Sequence, residues 1–338
     1  MMFFIKHDSN QLVSTKGGVM SDQRASFEAQ TSYRLLLPLM YLLAGWAAFK
    51  KWLARSLRLP TPNINALLFD GLGPICRRIK EGAASWRALN LLYNHPFKDP
   101  KNLGAWLDNL WLKSPNAQAV RNRRRIAKNQ LLKVIRESHK RTGKVVKIVS
   151  LACGSAEAVL QSMADANQLG IRTDCLLIDI DSSALEYARG VAKKLEISDQ
   201  VNMKRANLLG FEKLGKIIQS YQPTIVEMMG LLDYITDKQA AVLIRTIYQT
   251  LPAGGKLLTC NIIPNGEQAF LKHVINWNMI YRRPGELVEI MSCAGFRKIE
   301  TIVENMNIHV IAIGGKEAQN EVVIPKPSLV AISKGMLQ

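Results

Sequence analysis

The chain has 338 residues, 48% hydrophobic and 21% charged, and its 45 Lys+Arg against 27 Asp+Glu give a formal charge of +18. This balance excludes a disordered or multispanning chain, and the length admits one large domain with an appendage, or two domains. Five scattered cysteines (Cys76, Cys153, Cys175, Cys260, Cys293) with no Cys-x-x-Cys or Cys/His cluster exclude a disulfide framework and a structural zinc site, and point to a reducing compartment.

The charge is unevenly placed. Up to Thr142 there are 24 Lys+Arg against 8 Asp+Glu; beyond it, 21 against 19. The N-terminal part is therefore expected to meet an anionic partner, either lipid headgroups, nucleic acid or an acidic protein. Residues 1–32 read as a poorly ordered segment. Leu35–Phe49 (LLLPLMYLLAGWAAF) is uncharged, but it is shorter than the twenty or so residues that span a bilayer, and it contains Pro38. It also begins too far from the N-terminus, and without a small-x-small cleavage site, for a signal peptide. At 100° per residue Trp46, Phe49, Leu53 and Leu57 share one face, while Lys51, Arg55 and Arg58 share the opposite one. That pattern suits a helix lying in an anionic membrane interface, or a helix packed on the rest of the protein with its basic face in water. Ala117–His139 spaces Val120, Ile126, Leu131, Leu132, Val134 and Ile135 among seven Lys/Arg, which predicts a basic amphipathic helix. The helical region is expected over residues 33–142.

From Gly143 the pattern changes. Apolar runs at Val145–Leu151, Asp174–Ile180, Val201–Ala206, Pro223–Met229 and Lys256–Ile262 alternate with helical patterns at Ser155–Gln168, Ser182–Leu195, Phe211–Ser220, Asp237–Leu251 and Glu267–Trp277. A helix at Pro284–Ala294 precedes two last strands, Lys298–Glu304 and Ile308–Ile313. Five strand–helix alternations predict a doubly wound α/β sheet, mostly parallel. The short link between the last two strands requires an antiparallel pair at one edge, making seven strands. The domain is expected over residues 143–316, with a tail at 317–338.

In such a sheet, ligands bind where the first four strands end. Strand 1 ends in Ala152-Cys153-Gly154-Ser155-Ala156, small residues that let a ligand approach a helix N-terminus. Strand 2 ends in Asp179-Ile180-Asp181, where a carboxylate can accept both hydroxyls of a ribose. Strand 3 ends in Ala206-Asn207-Leu208 and strand 4 in Glu227-Met228-Met229-Gly230. A Rossmann dehydrogenase would share the strand-2 carboxylate, so this residue alone leaves the cofactor open.

Over Lys144–Gly314 the sequence resembles the class I S-adenosylmethionine-dependent methyltransferases. The resemblance rests on the loop after strand 1, the acid ending strand 2, Asn207, the segment Ile225–Tyr234 (IVEMMGLLDY) and Leu251-Pro252-Ala253-Gly254-Gly255. It implies a Rossmann-like sheet, S-adenosyl-L-methionine as cofactor, and a donor site at Ala152, Cys153, Gly154, Ser155, Asp179, Ile180, Asn207, Leu208 and Glu227. The family's loop usually has glycines where Ala152 and Ala156 stand; alanine still permits close approach if its φ is negative. Asn207 stands where the family often has Asp facing the adenine amino group, and its amide oxygen can accept the same bond. Val120–Ile126 (VRNRRRI), Ser150–Ala156 (SLACGSA) and Ile275–Leu287 (INWNMIYRRPGEL) further resemble a bacterial group that makes 3-hydroxypalmitic acid methyl ester, which implies methylation of a fatty-acyl carboxylate.

Glu227 and Tyr234 are the expected catalytic residues, with Asp233 and His273 as further ionisable candidates, and Arg123, Arg124, Arg282 and Arg283 as holders of an acceptor carboxylate. The expected activity is methyl transfer to a small-molecule or lipid acceptor by a cytoplasmic protein, peripheral on the inner membrane surface. The alternatives are an RNA methyltransferase, whose basic region would contact phosphates, and a non-catalytic cofactor-binding scaffold.

Overall fold

The computed structural model describes residues 18–317. Residues 1–17 and the expected tail from residue 318 lie outside the described residues, and 18–32 belong to the first helix. Helix α1 (Gly18–Ser56) is followed by a single π-turn (Leu67–Gly71) and helices α2 (Pro74–Glu81), α3 (Trp86–Asn94) and α4 (Leu103–Leu112). The long α5 (Pro115–Thr142) ends at Gly143, whose φ of 65° gives the left-handed cap that a residue without Cβ adopts freely.

The sheet comprises β1 (Val146–Leu151), β2 (Thr173–Asp179), β3 (Val201–Arg205), β4 (Ile225–Met228), β5 (Lys256–Ile262), β6 (Ile299–Val303) and β7 (His309–Gly315). Its order is β3-β2-β1-β4-β5-β7-β6, parallel through the first five and antiparallel at β7 and β6. The expected alternation is observed, with crossover helices α6 (Glu157–Gln168), α7 (Ser182–Lys194), α8 (Phe211–Tyr221) and α9 (Asp237–Thr250). The helix expected at Glu267–Trp277 is shorter, α10 (Gln268–His273), and Asn276 turns the chain after it at φ 62°. α11 (Pro284–Ala294) leads into β6.

Helices α8, α9 and α11 cover one sheet face around Ile218, Leu243, Ile247 and Met291. On the other face, Leu131, Val134 and Ile135 of α5 join α6 and α7 over β1 and β2. The N-terminal half of α5 belongs instead to a third core, where Ala117, Ala119 and Val120 meet Phe69, Trp111 and Phe270. α5 therefore ties the helical region to the sheet.

α1 docks on the protein through a face of small residues, with Arg55 and Arg58 of the expected basic side exposed and only Lys51 turned inward. Met40, Ala44, Ala47 and Ala54 are buried, and Lys51 donates to the His273 carbonyl at 2.7 Å and to Asn276 Oδ1 at 2.6 Å. Trp46, Phe49, Leu53 and Leu57 point to solvent.

Candidate active site

β1 is a buried apolar strand, and its loop turns sharply. Ala152, Gly154 and Ala156 all have positive φ (50°, 54° and 53°). The negative φ under which alanine would allow close approach is therefore not adopted: the loop keeps the glycine-type conformation, with a steric cost at each alanine. The helix opens at Glu157, two residues later than expected, because Ala156 still has this backbone conformation. The turn aims the Gly154 N–H at Asp179 Oδ2 (2.9 Å), while Asp179 Oδ1 accepts the Asp181 N–H (2.9 Å). Each carboxylate oxygen retains a lone pair, and Asp179 lines a cavity of about 350 Å³.

The cavity has two ends. Ala152, Gly154, Asp179, Ile180, Asp181 and Met229 form the end at the strand termini. Away from it the walls are apolar and come from the N-terminal helices and β5–α10: Ile79, Leu89, Trp111, Val120, Phe270 and Trp277 are among them. Trp86 covers the strand-1 loop. Its indole N–H donates to Asp181 Oδ2 (3.1 Å) and Ser183 Oγ (3.2 Å), and its ring lies 4.9 Å from Tyr187. A Cβ on Gly154 would stand 3.3 Å from that of Trp86. Arg87 stacks on the same indole at 4.9 Å and reaches Ser183 Oγ at 2.7 Å.

The expected site residues separate into groups. Cys153, Ser155 and Glu227 line a second chamber of about 70 Å³ behind the loop, with Arg124 and Glu157. Glu227 accepts a hydrogen bond from Ser150 Oγ, its cross-strand partner on β1, and burial pushes its carboxyl up to about 7. Burial also raises the Cys153 thiol, with Asp179 adding to the effect. Tyr234 lines the main cavity, its hydroxyl accepting from Trp277 Nε1 at 2.7 Å; desolvation pushes its ionisation upward. Asp233, also on the wall, is pushed up to about 6 by burial despite Arg123, and accepts from Asn261 Nδ2 (3.0 Å) and the Ile262 N–H (2.8 Å). Asn207 and Leu208 are not on the cavity wall: the Asn207 amide oxygen takes the Leu209 N–H at 3.0 Å, and Leu208 is packed in the core. His273 is absent from both chambers.

Of the four arginines, Arg123 lines both chambers, buried, with Nη1 3.7 Å from Asp233 and Nη2 donating to Tyr93 Oη at 3.3 Å. Arg124 is paired with Glu157 and lies over Tyr93. Arg282 is buried and donates to Asp237, Asn261 and the carbonyls of Leu232 and Ile235. Arg283 sits exposed at the start of α11. Sequence reasoning missed Trp86 and also Glu267 and His309. The last two line the apolar end; burial pushes Glu267 up to about 7, and His309 Nδ1 has no partner among the described residues. None of these three belongs to a motif that could have flagged it.

Residues 64–316 match a family model described as "Putative methyltransferase". The chain belongs to this methyltransferase family. No curated protein matches it. Among solved structures it is similar to one from Bordetella parapertussis described as a possible exported protein, at 16% identity and TM-score 0.60, covering 88% of this chain and 99% of that one. It is also similar to magnesium protoporphyrin IX methyltransferase from Synechocystis PCC 6803 with bound SAH (8% identity, TM-score 0.48, 68% and 92% covered). A third is an O-methyltransferase family protein from Burkholderia thailandensis (15% identity, TM-score 0.47, 62% and 61% covered). The seven-stranded order with its antiparallel edge is the class I methyltransferase sheet, and the cofactor of that class is S-adenosylmethionine. The residues fit it. Asp179 offers lone pairs toward the cavity, and a loop with three left-handed residues lies beside it.

Proposed function

We propose that this methyltransferase acts on a small, largely apolar acceptor that carries a carboxylate, such as a fatty-acyl chain. The observation that supports the reading is the continuity of the cavity: one chamber runs from Gly154 and Asp179 into walls of aliphatic and aromatic side chains. Burying an acyl chain there yields about 0.8 kcal/mol per methylene. Arg123 is the cation on that wall, close to Gly230 at the strand-4 end, and it is a buried counter-charge for an acceptor carboxylate.

S-adenosylmethionine supplies an already activated methyl group. The chain's own work is binding, alignment and exclusion of water. Asp179 would hold the ribose, and the strand-1 loop the methionine portion. Glu227, in the chamber behind that loop, is suited to the amino end of the cofactor rather than to the acceptor. Trp86 roofs the loop and keeps water out. A carboxylate acceptor is ionised at neutral pH and requires no general base, so the burial of Asp233 and Tyr234 in polar contacts is consistent with positioning roles.

Incubation with methyl-labelled S-adenosylmethionine and cell extract, followed by fractionation, tests this. Label is expected in an organic-soluble, alkali-labile ester. Label in RNA would overturn the reading, and label in an alkali-stable product would remove the carboxylate.

A further inference from the structure

Helix α1 turns its small-residue face inward, and what it leaves outward is an apolar stripe. Leu42, Trp46, Phe49, Leu53 and Leu57 recur every three or four residues and are all exposed, Leu42 at 72% and Trp46 at 56%. Trp46 and Phe49 stack at 5.9 Å, and Phe49 lies 5.9 Å from Trp52, itself 61% exposed. The surface continues beyond the helix. Lys50 Nζ holds the Ile64 carbonyl at 2.9 Å, and a Cβ on Gly71 would touch both Ile64 and Leu67. Leu67 and Leu68 of the π-turn face out, while Phe69 of the same turn lines the acceptor cavity from beneath. The π-turn thus adds exposed leucines on the outer side of a segment that walls the cavity. Contiguous exposed apolar surface of this kind marks an interaction face.

The charge decides what it meets. Arg55 and Arg58 are exposed at the end of the stripe. Between residues 34 and 116 the carboxylates are Asp70, Glu81, Asp99 and Asp108, and Asp70 and Asp108 are buried. A second copy of this chain would bring the same positive face against itself. An anionic bilayer complements it, and indoles at the water boundary suit a membrane interface. Among the described residues no helix is long and apolar enough to cross a membrane. We propose that α1 and the π-turn dock this protein in the plane of an anionic lipid surface, with the π-turn wall of the cavity toward the lipid. The inference stands on this surface and is independent of the acceptor's identity.

The test is flotation of the full chain with vesicles of phosphatidylcholine, alone and mixed with phosphatidylglycerol, across a salt series. Wild type is expected to float with the mixed vesicles. Trp46→Ser/Phe49→Ser, with every charge kept, should lower partitioning about tenfold or more, at an unchanged thermal midpoint. Arg55→Gln/Arg58→Gln should weaken it at low salt by a similar factor. Wild type remaining at the bottom of the gradient overturns the proposal, as does flotation indifferent to both variants. A concentration-dependent dimer that the aromatic double variant dissolves, with no flotation, would also overturn it and assign the face to self-association.

Discussion

Asp179 carries two loads at once. It satisfies two backbone N–H groups, those of Gly154 and Asp181, and so shapes the loop as well as facing the cavity. Asp179→Ala removes a charged acceptor, which costs on the order of 2–4 kcal/mol of binding. Calorimetry should show affinity for S-adenosylmethionine lowered well over tenfold, with Asp179→Asn, which keeps one acceptor oxygen, in between. Unchanged affinity in a folded Asp179→Ala would remove the residue from the donor site. Glu227 makes a different prediction, through pH. Burial raises its pKa in the folded protein to about 7, above the roughly 4.3 of an unfolded glutamate, so the native state holds the proton more tightly than the unfolded chain. Its contribution to stability is then present at low pH, falls as pH rises between those values, and is flat above about 7. Glu227→Gln cannot ionise and keeps an oxygen for Ser150. Relative to wild type it should gain on the order of 2 kcal/mol on going from pH 5 to pH 8, read by denaturant titration at both. An equal difference at the two pH values would show that Glu227 is not desolvated.

At the scale of elements, the strand-1 loop holds alanines where the backbone favours glycine. Ala156, at the head of α6, has φ 53°, and an L residue there costs about 1–2 kcal/mol. Ala156→Gly should relieve this, and after the entropy given back to the unfolded chain the thermal midpoint should rise by the equivalent of about 0.5–1 kcal/mol. A fall in the midpoint would mean that the Ala156 methyl, which is buried against α6 and α7, matters more than the strain. The same loop shows what is legible in a sequence. The strand, the small residues and Asp179 follow from a local pattern of burial, and all were placed by it. The sign of φ at Ala152 and Ala156 is not legible there, because alanine carries no local signal for a left-handed backbone. Trp86 was invisible for a stronger reason: its partners Asp181 and Ser183 lie some 95 residues away. The apolar cavity walls come largely from helices that share no motif. Arg123 was noticed for its charge, yet its neighbours Arg124 and Arg125 have the same charge, and only the packing of α5 decides which one turns inward.

At the scale of the molecule, α5 makes the sequence boundary at Gly143 a change of pattern rather than a limit of folding. Leu131, Val134 and Ile135 are buried against β1, α6 and α7, so a fragment beginning at Lys144 would expose one face of its own sheet. Each such side chain contributes about 1.5–3 kcal/mol by burial, which together is a large share of the 5–15 kcal/mol that hold a domain folded. The N-terminal half of α5 in turn needs Phe69, Trp111 and Phe270 to cover Ala119 and Val120. The family match begins at residue 64 and so includes α5. Three chains test this dependence: residues 144–317, 113–317 and 64–317. The first is expected to show helix in far-UV circular dichroism but no cooperative melt. The second should melt cooperatively at a depressed midpoint, because α5 restores the sheet face while leaving its other half uncovered. The third should melt cooperatively above the second but below the full chain, because it lacks Met40, Ala44 and Ala47 of α1. It should also bind S-adenosylmethionine, because Trp86 and Arg87 again close over the strand-1 loop. Cooperative melting of 144–317 at the full-length midpoint would mean that the sheet is complete without α5, and would make the helical region a separate, docked module.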